Sequence, residues 1–372
     1  MSVIAPRVRT VAFHPLIEPP EVSGSGKVIR RLNLNESPFG PAEEVVVAMN
    51  AAARVSNRYP DGEASRLISL LSADMKVEAA RVFVGAGSNE LLAASAEITL
   101  DPGTAMVAPS PAFPTYKKLA SIRGADFIGV PVREDGSIDV DAMLSAVTPS
   151  TRLMFVSSPH NPTGTVMRPD EIMKLATHLP ADILLHFDEA YYEFGRAAGG
   201  PETLPILQHR EGAWLSTRTF SKAFGLAGAR VGYGVASTPE IATAIRKVRP
   251  NFSLNIMALA GACAAMGARE HAEDLVRFIL DERDRIAAKL SAMGYRCLAG
   301  AANFVTVLPP LPAAEIAAHC ERNGVLINVL DWGGANKSLR ITIGATEDND
   351  ALVQALGELA AQQNQSSHSI AS

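Results

Sequence analysis

The chain has 372 residues, 47% of them hydrophobic and 20% charged, with a formal net charge of −5. That length exceeds what one compact core usually holds, so two domains are expected, and the mildly acidic balance without a basic block excludes nucleic acid as the main partner. Three scattered cysteines (Cys263, Cys297, Cys320), no apolar run near the ~18 residues of a membrane span and no signal-peptide core in Met1–Thr10 exclude a disulfide framework and a zinc site, and lead to the expectation of a cytoplasmic protein.

Residues 1–40 are rich in Pro and Gly, and the part from Pro15 to Gly26 reads as an extended arm. From residue 41 to 250, short β-branched or apolar runs alternate with amphipathic stretches. Strands are expected at Arg81–Val84, Ala105–Ala108, Asp126–Val130, Leu153–Val156, Ile183–Phe187, Ala213–Ser216 and Val231–Val235. Helical patterns at Asn89–Leu100, Pro114–Ile122 and Pro169–His178 lie between them. This rhythm predicts an α/β domain with a mostly parallel seven-stranded sheet. Pro250 marks a break. Residues 251–362 then carry helices near Leu254–Met266, Glu270–Met293 and Ala313–Asn323, with strands at Phe304–Leu308 and Leu339–Ile343, as in a smaller α+β domain. The polar residues 363–372 read as a disordered tail.

Thr219-Phe220-Ser221-Lys222-Ala223-Phe224-Gly225-Leu226-Ala227-Gly228-Ala229-Arg230 sets a lysine among small and apolar residues, with an arginine eight positions on. A desolvated lysine can attack a carbonyl as a free amine, and an arginine can fork a phosphate. Pyridoxal 5'-phosphate (PLP) carries both groups on one molecule. Gly85-Ala86-Gly87-Ser88-Asn89-Glu90 follows a strand and opens a helix, a turn suited to phosphate. Glu90 stands where a dinucleotide fingerprint needs its third glycine. Ser158-Pro159-His160-Asn161-Pro162-Thr163-Gly164 builds a rigid turn at a strand's carboxyl end, where Asn161 either shapes the turn or meets a ligand. Asp188-Glu189-Ala190-Tyr191 ends the next strand. Asp188 is either a helix cap or the buried partner of a protonated pyridine nitrogen, and Tyr191 could donate to that ring's oxygen. The eight histidines show no metal-ligand spacing, so no metal is expected. His160 reads as a turn residue, His186 as a satisfied core histidine, and Glu189 as a solvated or dipole-placed charge.

Taken in order, these motifs resemble the fold-type-I PLP-dependent aminotransferases (class I and II), and more narrowly the histidinol-phosphate aminotransferase group. Leu32-Asn33-Leu34-Asn35-Glu36-Ser37-Pro38-Phe39-Gly40-Pro41, Arg58-Tyr59-Pro60-Asp61, Ala302-Asn303-Phe304-Val305 and Leu339-Arg340-Ile341-Thr342-Ile343-Gly344 extend the likeness from residue 32 to 344. The resemblance implies that Lys222 holds the cofactor covalently and moves the proton, that Asp188 pairs with the ring nitrogen, and that Asn161 and Tyr191 flank the ring oxygen. It implies phosphate contacts from Ser88, Asn89, Ser221 and Arg230, with Phe113 stacked on the ring. Tyr59 would reach the partner's cofactor in a homodimer with shared sites. Arg340 would clamp a substrate anion, with Asn35 beside the substrate.

Asn328, four residues after Gly324, stands where true histidinol-phosphate enzymes usually carry a second arginine, and Phe13-His14-Pro15 departs from that group's Pro-Tyr. The implied function is transamination between an amino acid, with glutamate the family's donor, and a 2-oxo acid or phosphorylated ketone. An aromatic aminotransferase and a decarboxylase of a phosphorylated amino acid are the alternatives on the same scaffold. A non-catalytic regulator is disfavoured, because the residues before the sheet lack a helix-turn-helix pattern.

Overall fold

The computed structural model describes residues 4–9, 11 and 28–370, with backbone alone at 361–370. The expected arm at Pro15–Gly26 and the Phe13-His14-Pro15 departure lie outside the described residues. In chain order a short β1 (Arg30–Arg31) precedes β2 (Val82–Gly85), β3 (Ala105–Ser110), β4 (Asp126–Pro131), β5 (Thr151–Ser157), β6 (Leu184–Asp188), β7 (Trp214–Thr219) and β8 (Gly232–Ala236). Strands β2 to β8, each overlapping an expected one, pair in the order β2-β8-β7-β6-β5-β3-β4. β8 runs antiparallel to both neighbours, and the other pairs are parallel.

Apart from the edge strand β4, the sheet is buried on both faces, which is why its strands read as continuous apolar runs. Along β5, Leu153 and Phe155 enter one core cluster while Met154 and Val156 enter the other. Helices Ser88–Thr99 and Thr115–Arg123 cover the Phe155 side through Leu91, Leu92, Tyr116 and Leu119. Helix Pro169–His178 covers the opposite face through Ile172 and Leu175. Its start is encoded locally: Pro169 opens the first turn, and the Arg168 N–H donates to the Glu171 carboxylate at 2.9 Å.

The C-terminal part contributes β9 (Arg296–Cys297), β10 (Phe304–Leu308), β11 (Val325–Leu326), β12 (Asn328–Leu330) and β13 (Ser338–Thr342), with an antiparallel sheet in the order β12-β13-β10-β9. Strands of two or three residues, such as β9, β11 and β12, are too short to show an alternating pattern. β1 pairs parallel with β11, so the chain just before the Asn33–Asn35 motif is tied to the C-terminal part. The same apolar cluster joins Val156 and Phe187 of the large sheet to Ile279, Phe304 and Leu339. The last helix spans Thr346–Ile370, so backbone expected as a disordered tail is helical up to that point. Helix extension is cooperative, so the helix begun at Thr346 continues into these residues despite their polarity.

Candidate active site

The carboxyl ends of β2, β5, β6 and β7 converge on a cavity of about 420 Å³. Each delivers one of the motifs: Gly85–Glu90, Ser158–Gly164, Asp188–Tyr191 and Thr219–Arg230. Ligands of open α/β sheets bind at this edge because successive loops diverge there.

Lys222 lies on the cavity wall, its Nζ donating to the Asn35 carbonyl at 2.7 Å. Burial, reinforced by the positive charge of Arg340, pushes its amine down to about 8. Asp188 is buried, and burial pushes its carboxyl up to about 6. Two donors oppose that shift: the Tyr116 hydroxyl at 2.8 Å and the Ala190 N–H at 3.1 Å. Asp188 is therefore no helix cap, since the following helix starts only at Tyr192.

The Tyr191 hydroxyl accepts from the Asn35 amide at 2.9 Å and from the Asn161 amide at 3.3 Å. With both lone pairs engaged, its proton is left to donate. Arg340 completes this wall: Nη1 donates to Asn161 Oδ1 at 2.8 Å and Nη2 to the Asn33 carbonyl at 3.0 Å. Its Nε is buried without a hydrogen-bond partner, an unmet donor of the kind an anion satisfies. Asn35 is the hub. Its carbonyl also accepts from Asn303 at 2.9 Å, and its side chain and backbone both bond Thr342 Oγ1. Asn303 and Thr342 lie in motifs that carry the resemblance but had no assigned role, because their meeting with Asn35 is purely tertiary.

Gly87, at φ +79°, faces Arg230: a Cβ there would sit 2.5 Å from the guanidinium. Ser88 and Asn89 open a 12-residue helix whose N-terminus faces the same space. A guanidinium, a helix start, Ser221 and the concavity left by a missing Cβ make a phosphate cradle. Glu90 holds that turn from behind, accepting from the Ala86 N–H at 2.7 Å and pairing with Arg249 at 3.2 Å. Phe113 also lines the cavity.

Two expected positions, Tyr59 and Asn328, lie elsewhere. Tyr59 is 80% exposed and stacks on Phe252 outside the cavity, centroids 4.6 Å apart. Asn328 does not line the cavity, but β12 places it directly across the ladder from Arg340. His160, expected as a turn residue, is buried, its Nε2–H donating to the Pro111 carbonyl and its Nδ1 accepting from Ser157, and burial pushes it down to about 4. His186 is held between Ser95 and Thr217. Glu189 corrects the expectation of a solvated charge. It is buried, ion-paired with Arg218 at 3.1 Å and hydrogen-bonded by Ser216 and Thr203. A residue next to a strand end carries no local sign of what packs on it.

The residues present fit PLP, with an amine for its aldehyde, a cradle for its phosphate and a buried acid for its ring nitrogen. Fold and site together define a PLP-dependent enzyme of fold type I. The chain belongs to the aminotransferase class I and II family, whose model matches residues 27–356. It is 36% identical over 323 residues to an aromatic amino acid aminotransferase of Thermobifida fusca, covering 87% of this chain and 88% of that one. It is 35% identical over 326 residues to histidinol-phosphate aminotransferase 2 of Caulobacter vibrioides, covering 88% and 85%. Among solved structures it resembles histidinol-phosphate aminotransferase from Sinorhizobium meliloti in complex with pyridoxal-5'-phosphate, with TM-score 0.88, 29% identity and coverage of 98% and 99%. The protein is thus a PLP-dependent aminotransferase acting on small amino and keto compounds. No helix among the described residues is long and apolar enough to cross a membrane.

Proposed function

We propose that this aminotransferase acts on amino acid and 2-oxo acid pairs with an aromatic or apolar side chain, glutamate serving as the second donor, rather than on a phosphomonoester. The carrying observation is the Arg340 wall. Its one guanidinium has a free Nε–H, and the residue across the ladder is Asn328. A carboxylate is satisfied by one such fork, whereas a dianionic phosphate gains from a second guanidinium that a neutral amide does not replace. Arg230, the other arginine on the cavity, belongs to the Gly87 cradle. Leu34 and Phe113 offer apolar contact for a side chain.

Bound PLP supplies an aldehyde that takes up the amino group and a ring that takes up an electron pair. In our reading, Lys222 holds the cofactor and then moves the proton at the substrate's Cα. Asp188 keeps the ring nitrogen protonated, and Asn161 and Tyr191 hold the ring oxygen. Ser88, Asn89, Ser221 and Arg230 bind the phosphate, and Phe113 stacks on the ring. Arg340 orients the carboxylate so that the Cα–H faces Lys222. Asn35 fixes Tyr191 and the resting Lys222.

The test is a half-reaction screen on the loaded enzyme, following the cofactor's absorbance as each amino donor is added. Phenylalanine, tyrosine and glutamate are expected to discharge the band at far lower concentration than histidinol phosphate. The opposite order would assign the phosphomonoester instead.

We also infer a homodimer, because Tyr59 is largely exposed, stacks on the half-exposed Phe252 and does not line its own cavity. Sedimentation of active enzyme should then give twice the 39.4 kDa chain mass. A fully active monomer would overturn this. The three cysteines are free, which suits the cytoplasmic location we assign.

A further inference from the structure

Asp188 Oδ2 takes its hydrogen bond from Tyr116, a residue that no sequence motif singled out and that lies 72 positions away. Tyr116 is fully buried and stacks parallel on Phe155, with centroids 4.4 Å apart and planes 5° apart. Phe155 packs in turn on His186, which Ser95 and Thr217 hold on either side. The phenol is thus fixed in position by a chain of rings and hydrogen bonds that ends inside the sheet. On its other side Tyr116 meets Phe113 edge-on, centroids 6.0 Å apart. One short segment therefore carries a ring that lines the cavity and the hydroxyl that holds the acid.

We propose that Tyr116 is a positioning residue for transamination: its hydroxyl orients the Asp188 carboxylate and keeps it ionised toward the cofactor's ring nitrogen. The inference rests on the reading of Asp188 as that nitrogen's partner. A carboxylate buried in apolar surroundings drifts toward its neutral form, and the adjacent Glu189 charge pushes the same way. A neutral acid cannot hold the pyridinium proton. The Ala190 N–H and the Tyr116 hydroxyl are the donors that favour the ionised form, and only the second is a side chain. The phenol stays a donor, because burial and the Asp188 charge raise its own ionisation well above the ordinary range. Two acceptor directions on the carboxylate remain for the ring nitrogen.

The test is a double-mutant cycle on PLP dissociation constant and steady-state rate, with Tyr116→Phe, Asp188→Asn and the pair. Tyr116→Phe retains the stacked ring, so packing on Phe155 is preserved. It is expected to weaken PLP binding roughly tenfold or more, the value of a hydrogen bond to a charged group. It should lower kcat by a similar factor with the KM of the amino donor little changed, since Arg340 is untouched. On the Asp188→Asn background it should change neither quantity further. An equal loss from Tyr116→Phe on both backgrounds would mean the hydroxyl acts independently of the Asp188 charge, and would overturn the proposal while leaving Asp188 in its role. If Asp188→Asn alone leaves cofactor affinity and rate intact, the reading of Asp188 fails and this inference with it.

Discussion

Lys222→Ala is expected to lose essentially all turnover, by a factor of at least about 10⁴, because in the proposed mechanism one side chain supplies both covalent attachment and proton transfer. Borohydride reduction should no longer fix the cofactor to the chain. The fold should survive, since the Nζ hydrogen-bonds only backbone carbonyls of Leu34 and Asn35 at the cavity wall. The environment explains why this lysine suits the task. With its amine pushed down to about 8, roughly a tenth is uncharged at pH 7, against fewer than one in a thousand for an ordinary lysine. Arg340 contributes to that shift, so the anion clamp and the nucleophile are electrostatically linked. Full turnover or undiminished borohydride fixation in the variant would remove Lys222 from the centre of the reaction.

Asp188→Asn is expected to be the next most damaging change, lowering kcat roughly 100- to 1000-fold, the usual cost of losing one preorganised charge at a reacting centre. Asparagine has nearly the same shape and its single oxygen can still accept from Tyr116 or from the Ala190 N–H, which bond different oxygens of the acid, so folding should be little affected. What it lacks is the negative charge that, in the proposed role, holds a proton on the ring nitrogen. Some cofactor should stay bound through the cradle at Gly87 and Arg230, which does not involve Asp188. The check is a comparison of kcat and cofactor content for the two proteins. An unchanged rate at full cofactor content would show that the ring nitrogen does not need this acid.

Much of the site was legible because its groups sit on short local motifs. Asn161, Asp188 and Lys222 each follow a strand within a few residues, and the strands themselves are marked by runs of apolar residues. Once the strands are parallel, their carboxyl ends must face one edge, which brings the motifs together. Glu189 was misjudged for the reason that Asp188 was legible: both depend on position at a strand end, but only the sheet decides which side is buried. Its partner Arg218 lies on the neighbouring β7, and β6 and β7 pair with Asp188 opposite Thr217. Tyr59, expected at a partner's cofactor, is seen only as an exposed aromatic stacked on Phe252, and its assignment rests on the homodimer proposed above.

The sequence by itself determined the chemical class. A lysine among small apolar residues, an arginine eight positions on and an acid at a strand end are local facts, and they point to a cofactor with both a carbonyl and a phosphate. Tertiary structure alone decided how those groups are tuned. Asn35 joins Lys222, Tyr191 and Thr342 across separate parts of the chain, Tyr116 reaches Asp188, and Asn328 falls opposite Arg340. Ionisation and orientation depend on burial and on distances between residues far apart in sequence, and those exist only after the chain has folded.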